Sequence, residues 1–209
     1  MGRRVGRPRT SGPGAMPGPL GAKTLEERRV RILETAAHLF ASKGYVGTSV
    51  DDIARELGVS KSAIYYYWSS KEELLEEIQD RALTRLREKL DRLDDEENPY
   101  ETSLEATVAA YIDAVLENTS FVSALLRDFV SSERTREKRR AFMQQCREVI
   151  EAEIAAGNVR DFDPQVLTLA IVGLCSTIAK WYEPEGRLSH EEIKEIYLGL
   201  ASRGFLALP

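Results

Sequence analysis

The chain has 209 residues, with 29 Lys and Arg against 34 Asp and Glu, 43% hydrophobic and 30% charged, a globular balance that excludes a disordered polyelectrolyte. Its longest uncharged stretch, Pro164–Ala179, is 16 residues and includes Gln165, Thr168, Ser176 and Thr177, short of the about 20 apolar residues of a membrane-spanning helix. The basic N-terminus lacks the apolar run of a secretory leader, and Cys146 and Cys175 cannot build a disulfide framework, so a reducing cytoplasm is expected.

Charge is divided along the chain. Residues 1–71 hold 12 Lys and Arg against 6 Asp and Glu, and the remainder 17 against 28, so a polyanion is drawn to the head and repelled by the body. Residues 1–22 carry Gly2, Gly6, Gly12, Gly14, Gly18 and Gly21 with four prolines, a composition expected to form a flexible arm. Arg3, Arg4, Arg7 and Arg9 surround Gly6-Arg7-Pro8. This core resembles an AT-hook, which lays arginine in the narrow minor groove of A·T-rich DNA; a solubilising tail is the competing reading.

Beyond the arm the apolar spacing is helical and no strand-like alternation persists. Thr24-x-x-Glu27 predicts the start of a first helix with apolar stripe Leu25, Ile32, Leu33, Ala36 and Phe40, stopped at Lys43-Gly44. Thr48 or Ser49 caps a second through Leu57, Ser60 a third to about Trp68, and Ser70 a fourth from Lys71 to about Asp94. Further helices are expected at about 100–117, 119–131, 134–156, 164–182 and 190–207, divided by Asn98-Pro99, Gly157-Asn158, Asp163-Pro164 and Glu183-Pro184-Glu185-Gly186. The fold class is all-α, with about nine helices. The expected division is an arm over 1–22, a three-helix head over 23–70 and a helical-bundle body over 71–209.

The segment Thr48–Lys71, TSVDDIARELGVSKSAIYYYWSSK, has the residue types that a helix-turn-helix demands. Ala54 is small where two backbones approach, Gly58 tolerates positive φ in the turn, and Ile53, Leu57, Val59 and Ile64 bury one face of each helix. Ser60 then opens a helix whose first residues are left free to enter a groove. Lys61 can donate to guanine O6 or N7, Ala63 can touch a thymine methyl, and the tyrosines Tyr65, Tyr66 and Tyr67 can donate to phosphate oxygens. Lys71, at the start of the fourth helix, forms an anion site with nearby backbone N–H groups. An ordinary αα-hairpin with a glycine turn is the competing reading of this segment.

These residues resemble the tetracycline-repressor (TetR) family of bacterial transcription regulators. The resemblance runs through Ile32-Leu33, Ala36, Leu39-Phe40, Gly44-Tyr45, Thr48-Ser49, Ile53-Ala54, Gly58-Val59-Ser60, Ile64-Tyr65 and Ser70-Lys71-Glu72-Glu73-Leu74. It implies that Ser60, Lys61, Ser62 and Ala63 face bases, with Tyr65, Tyr67, Lys71 and either Ser49 or Thr48 on the backbone of a double-stranded operator. It also implies a ligand-binding and dimerisation body whose last two helices pair with those of a second subunit. Where many members have His-Phe, this chain has Tyr67-Trp68; Trp68 is expected to pack in the core against Phe40.

Helix 164–182 is apolar on nearly every side and is expected to be buried on every side, against its own subunit and a partner. Helix 190–207 adds Ile193, Ile196, Tyr197, Leu200 and Gly204, completing a two-fold four-helix interface; a monomeric core helix is the alternative. The segment Lys180–Ser189 resembles the TetR subgroup that responds to acyl-CoA thioesters, which implies a small apolar effector. Tyr111, Phe121, Leu125, Phe129, Phe142, Met143 and Ile150 are candidates to line its tunnel, with Cys146 beside them. Arg139 and its neighbours Arg134, Arg136, Lys138 and Arg140 are candidates for its phosphates. Ordinary core packing and a solvated helix face compete with these assignments. His38 and His190 lack metal-ligand spacing and no Gly-x-Ser-x-Gly or phosphate loop is present, so neither metal nor cofactor is expected and an enzyme is disfavoured. A helical enzyme or binding protein acting on an acyl thioester without DNA stays the alternative class.

Overall fold

The computed structural model describes residues 24–92, 103–127, 132–183 and 185–205, the last five by backbone alone. Among them lie nine α-helices and no strand: α1 Leu25–Lys43, α2 Val50–Leu57, α3 Lys61–Tyr65, α4 Lys71–Asp91, α5 Ser103–Glu117, α6 Thr119–Arg127, α7 Glu133–Ala155, α8 Pro164–Ser176 and α9 His190–Phe205. The expected arm with Arg7, the end of α4 beyond Arg92 and Phe129 fall outside the described residues.

Local chemistry accounts for most boundaries. Thr24 and Glu27 form a reciprocal capping box, and Ser49 and Asp52 form a second one, each satisfying backbone donors that a helix start leaves free. Ser70, Ser132 and Asp163 cap α4, α7 and α8 through side-chain oxygens. Gly58 ends α2 in the left-handed region at φ 66°, a conformation costly for any residue with a Cβ.

Two elements differ from their expected length. α3 stops at Tyr65, because Tyr67 N–H bonds the Ile64 carbonyl at 3.0 Å in a tighter turn that swings Trp68 inward. α8 gives way at Thr177 to a 3₁₀ turn, Thr177–Lys180, whose first hydroxyl bonds the Leu174 carbonyl at 2.7 Å.

α1, α2 and α3 enclose Ile32, Leu33, Phe40, Ile53 and Ile64 against Leu74 and Leu75 of α4. α4 then carries Leu83, Leu86 and Leu90 into the second half. There α5, buried along almost its whole length, packs on α4, α7, α8 and α9. α6 lies against both α1 and α4, so one continuous core joins the head to the body. Phe40 and Trp68 both belong to that core, as expected.

α8 is not buried on every side in the single chain. Leu167, Thr168, Ile171 and Cys175 face inward, whereas Val166 (64% exposed), Leu169 (57%), Ala170 and Gly173 face outward. Ile196 and Leu200 of α9 are also exposed. The outward residues recur at helical spacing, so α8 carries two apolar faces and one chain covers only one of them.

Candidate nucleic-acid interface and effector core

The turn between α2 and α3 is held by the Val59 N–H, which donates to the Ala54 carbonyl at 2.9 Å. Ile53, Leu57 and Ile64 lock the two short helices from beneath. Ser60 takes the N-cap position of α3 but its hydroxyl does not cap; it lies 2.9 Å from the Ser62 hydroxyl. Ser49, Ser60, Lys61, Ser62, Tyr65 and Tyr66 are exposed, Tyr66 by 71%, while Ala63 and Tyr67 are half-buried.

Lys61 is not idle. Its ammonium donates to Asp51 Oδ2 at 2.8 Å and stands 6.0 Å from the Tyr65 ring centre. The bond from Asp51 holds the Lys61 ammonium above its ordinary range. Asp51 was no candidate in the sequence, because only the turn brings the first residues of α2 and α3 together. Its neighbour Asp52 accepts bonds from Ser49 and Arg55, which hold its carboxyl well below the usual carboxylate range.

Three expected contact residues are turned to internal work. Thr48 is buried, and its hydroxyl bonds the carbonyls of Leu39 (3.2 Å) and Gly44 (2.8 Å), so only its neighbour Ser49 presents a side chain outward. Lys71 donates to the carbonyls of Tyr45 and Thr48, both at 2.9 Å, and sits 4.0 Å from the Tyr45 ring centre. It braces the α1–α2 turn against α4 instead of standing free as an anion site. The Tyr67 hydroxyl reaches the Leu25 carbonyl at 3.3 Å.

In the body, Tyr111 and Ser176 share a buried hydrogen bond of 2.6 Å, and burial pushes the Tyr111 hydroxyl above its ordinary pKa. Beside them is an apolar cavity of about 10 Å³, bordered by Leu104, Val108, Tyr111, Cys146, Ile150, Ile171 and others. That is room for about one water. Of the expected tunnel residues that are described, only Tyr111, Cys146 and Ile150 border it. Phe142 stacks on Tyr111 at 5.5 Å, Met143 is half-buried, and Leu125 and Phe121 belong to α6, where Phe121 lies under Arg85 at 4.8 Å. Sequence spacing identified these residues as apolar, but not which neighbour each would meet.

The basic run of α7 is largely neutralised within the chain. Arg134 and Lys138 pair with Asp80 of α4, and Arg136 and Arg140 pair with Glu133. Arg139 is the exception: the residue is exposed, but its guanidinium donates to the Leu125 carbonyl at 3.0 Å and meets no carboxylate among the described residues. Partial loss of water around the guanidinium lowers its pKa. Burial also pushes the Cys146 and Cys175 thiols up to about 12, so neither is a ready nucleophile. No cluster of His, Cys, Asp or Glu among the described residues could hold a metal ion, and no described helix is long and apolar enough to cross a membrane.

Comparison with known proteins agrees with this arrangement. Residues 32–78 match the family described as "Bacterial regulatory proteins, tetR family", and residues 97–205 match the "Tetracyclin repressor-like, C-terminal domain". The chain is 29% identical over 189 residues to the HTH-type transcriptional repressor KstR2 of Mycolicibacterium smegmatis, covering 85% of this chain and 90% of that protein. The crystal structure of the TetR regulator PfmR from Thermus thermophilus is 32% identical, with TM-score 0.72 over 83% of this chain and 98% of PfmR. The structure of AibR in complex with isovaleryl coenzyme A and operator DNA is 30% identical, with TM-score 0.70 over 83% and 97% of the two chains. The helix-turn-helix head, the helical body behind it and these matches together make the chain a member of the TetR family of bacterial transcriptional regulators, and not of a family of enzymes.

Proposed function

We propose that the protein is a cytoplasmic homodimeric repressor that binds a palindromic operator and is released from it by a small apolar effector, an acyl-CoA thioester. The observation that carries the reading is the outward set Ser60, Lys61, Ser62, Tyr65 and Tyr66, gathered on α3 and the turn after it with Ser49 at the start of α2, while Ile53, Leu57 and Ile64 hold the two helices from beneath. Ser60, Lys61, Ser62 and Ala63 meet base edges, while Ser49, Tyr65 and Tyr66 meet phosphates. Tyr67 and Lys71 act chiefly by bracing, and Arg7 of the basic arm enters the minor groove. Residues 23–70 form the reading head and 71–209 the effector and dimer body.

The uncovered apolar stripe of α8 and α9 supports dimerisation through 164–182 and 190–207, because a two-fold protein places two α3 helices on successive half-sites. The effector reading is supported by AibR, whose structure holds isovaleryl coenzyme A, and by an apolar core with the Arg139 guanidinium held at the Leu125 carbonyl beside it. Tyr111, Cys146 and Ile150 line the cavity, Phe142 and Met143 stand behind it, and Arg139 faces the polar end of the effector.

The test is an operator duplex selected from random sequence, titrated with protein at several salt concentrations and then with acyl-CoAs of graded chain length. The expected result is steep salt dependence, reduced when residues 1–22 are removed, and release by one class of acyl-CoA. A roughly 100-fold preference of effector for free over operator-bound protein corresponds to about 2.7 kcal/mol of coupling. Equal effector affinity for the two forms refutes the switch, and release only by free fatty acids or unrelated apolar molecules reassigns the effector.

A further inference from the structure

α3 has only five residues, too few to hold its own conformation or direction. Its single buried anchor is Ile64, so its aim depends on where the chain goes next. That next segment is gripped most firmly at Trp68, with the exposed Tyr67 hydroxyl on the Leu25 carbonyl a longer second hold at 3.3 Å. Trp68 is buried, and its indole Nε1–H donates to Glu77 Oε2 of α4 at 2.7 Å. The same oxygen accepts Arg29 Nη2 of α1 at 2.7 Å, and Glu77 Oε1 accepts Arg81 Nε at 3.1 Å. The Glu77 side chain is only 17% exposed. Arg29 also lies over the Trp68 ring, 5.9 Å from its centre, and Glu26 joins the second side of both arginines.

From this convergence we infer that Glu77 is a positioning residue for DNA recognition: it fixes the exit of α3 to α1 and α4, and so sets the angle at which Lys61 and Tyr65 meet the duplex. Three donors from three separate segments meet one carboxylate, which is the side chain that offers acceptors alone. Each bond is charge-assisted and partly shielded from water, which makes it stronger than a neutral pair. Glu77 touches no base or phosphate in this role. It acts through Trp68, and since α4 continues into the body, a shift of α4 reaches α3 through the same carboxylate.

Glu77→Gln is the informative variant, because the amide replaces an acceptor with a donor that faces further donors. Its affinity for a selected operator and for a random duplex is compared with that of the parent, whose own preference for the operator tests DNA recognition independently. The expected outcome is operator binding weakened at least about tenfold with random-duplex binding within twofold. In a ¹⁵N-labelled sample the Trp68 indole signal, assigned by its loss in Trp68→Phe, moves away from its hydrogen-bonded position. Trp68→Phe, which keeps a buried ring but removes the donor, is expected to reduce the operator-to-random ratio in the same direction, and it decides the matter if Glu77→Gln does not fold. A folded variant whose melting temperature falls while that ratio stays within twofold of the parent overturns the inference, since Glu77 is then structural only.

Discussion

Replacing Leu169 tests the proposed dimer face without touching the core of the single chain. Leu169 is 57% exposed, and burying a whole leucine contributes about 1.5–3 kcal/mol. Covering the exposed part against a partner therefore contributes about 1–1.7 kcal/mol, of which Leu169→Ala removes about 1 kcal/mol because alanine keeps the first carbon. A two-fold axis counts each residue twice, so the dimer weakens by about 2 kcal/mol, roughly 30-fold in dissociation constant. Leu169→Glu goes further, because it brings two carboxylates into one apolar seam and strips them of water. Sedimentation velocity over a dilution series reads both variants, and circular dichroism at low concentration checks that helix content is kept. The expected result is a dimer weakened by the alanine and a folded monomer from the glutamate, with operator binding lost in step. A glutamate variant that dimerises within threefold of the parent refutes the argument and moves the interface elsewhere.

Three further outcomes follow from the geometry. Asp51→Asn frees Lys61 from its intramolecular partner; an exposed ion pair is weak, so operator affinity is expected to rise a few-fold, and an unchanged or weaker titration counts against Lys61 as a DNA contact. Tyr111→Phe leaves the buried Ser176 hydroxyl without its partner, a loss of about 1–3 kcal/mol that lowers the melting temperature by about 2–10 °C; Ser176→Ala in the same chain should recover part of it, and an unshifted melt contradicts the buried bond. The depressed Asp52 carboxyl contributes stability that is present above the unfolded value of about 3.9 and is lost as pH falls through the lower folded value. The stability gap between the parent and Asp52→Asn, measured by urea unfolding, is therefore constant between about pH 5 and 8 and narrows below about pH 4; a gap still undiminished at about pH 2 speaks against it.

What the sequence disclosed depended on whether the governing interaction was local. Thr24-x-x-Glu27, Thr48-Ser49, Gly58 and Asp163-Pro164 act within four residues, and each marked a true boundary, with the structure choosing Ser49 over Thr48 as the cap. The direction of side chains around α3 was not local. In Tyr65-Tyr66-Tyr67 the helical period has no room to repeat, so nothing marked two tyrosines as outward and one as half-buried, although the bulk of Trp68 already pointed it to the core. Lys71 was expected to meet DNA because its chemistry allows it, and Thr48, as the alternative to Ser49, because the family resemblance implies it. The same hydroxyl and ammonium serve equally well for backbone carbonyls that only the folded turn brings near. In the body, the apolar positions of α5–α7 were evident, but the choice between lining a cavity and facing α1 or α4 belongs to tertiary packing. The apolar circumference of α8 carried more information than one subunit can use, since half of it remains uncovered.

The cavity proposed for the effector is closed in this structure, and under that proposal the closure bears on how a ligand is felt at the head. An acyl chain cannot enter a space of about 10 Å³ without moving the side chains of α5, α7 or α8, because close-packed interiors do not yield continuously. α7 supplies Cys146 and Ile150 to the cavity wall and, about two turns earlier, Arg139 to the Leu125 carbonyl of α6. α6 in turn packs on α1 and α4, and Arg85 of α4 bonds Asn118 at its threshold while covering Phe121. A rearrangement that opens the cavity by displacing α7 must therefore either break the bond from Arg139 or carry α6 with it. If α6 moves, it moves against the two helices that Glu77 joins to Trp68. Under the proposed function, an effector that enters here shifts the equilibrium of the head only through the difference in its affinity for the closed and opened arrangements.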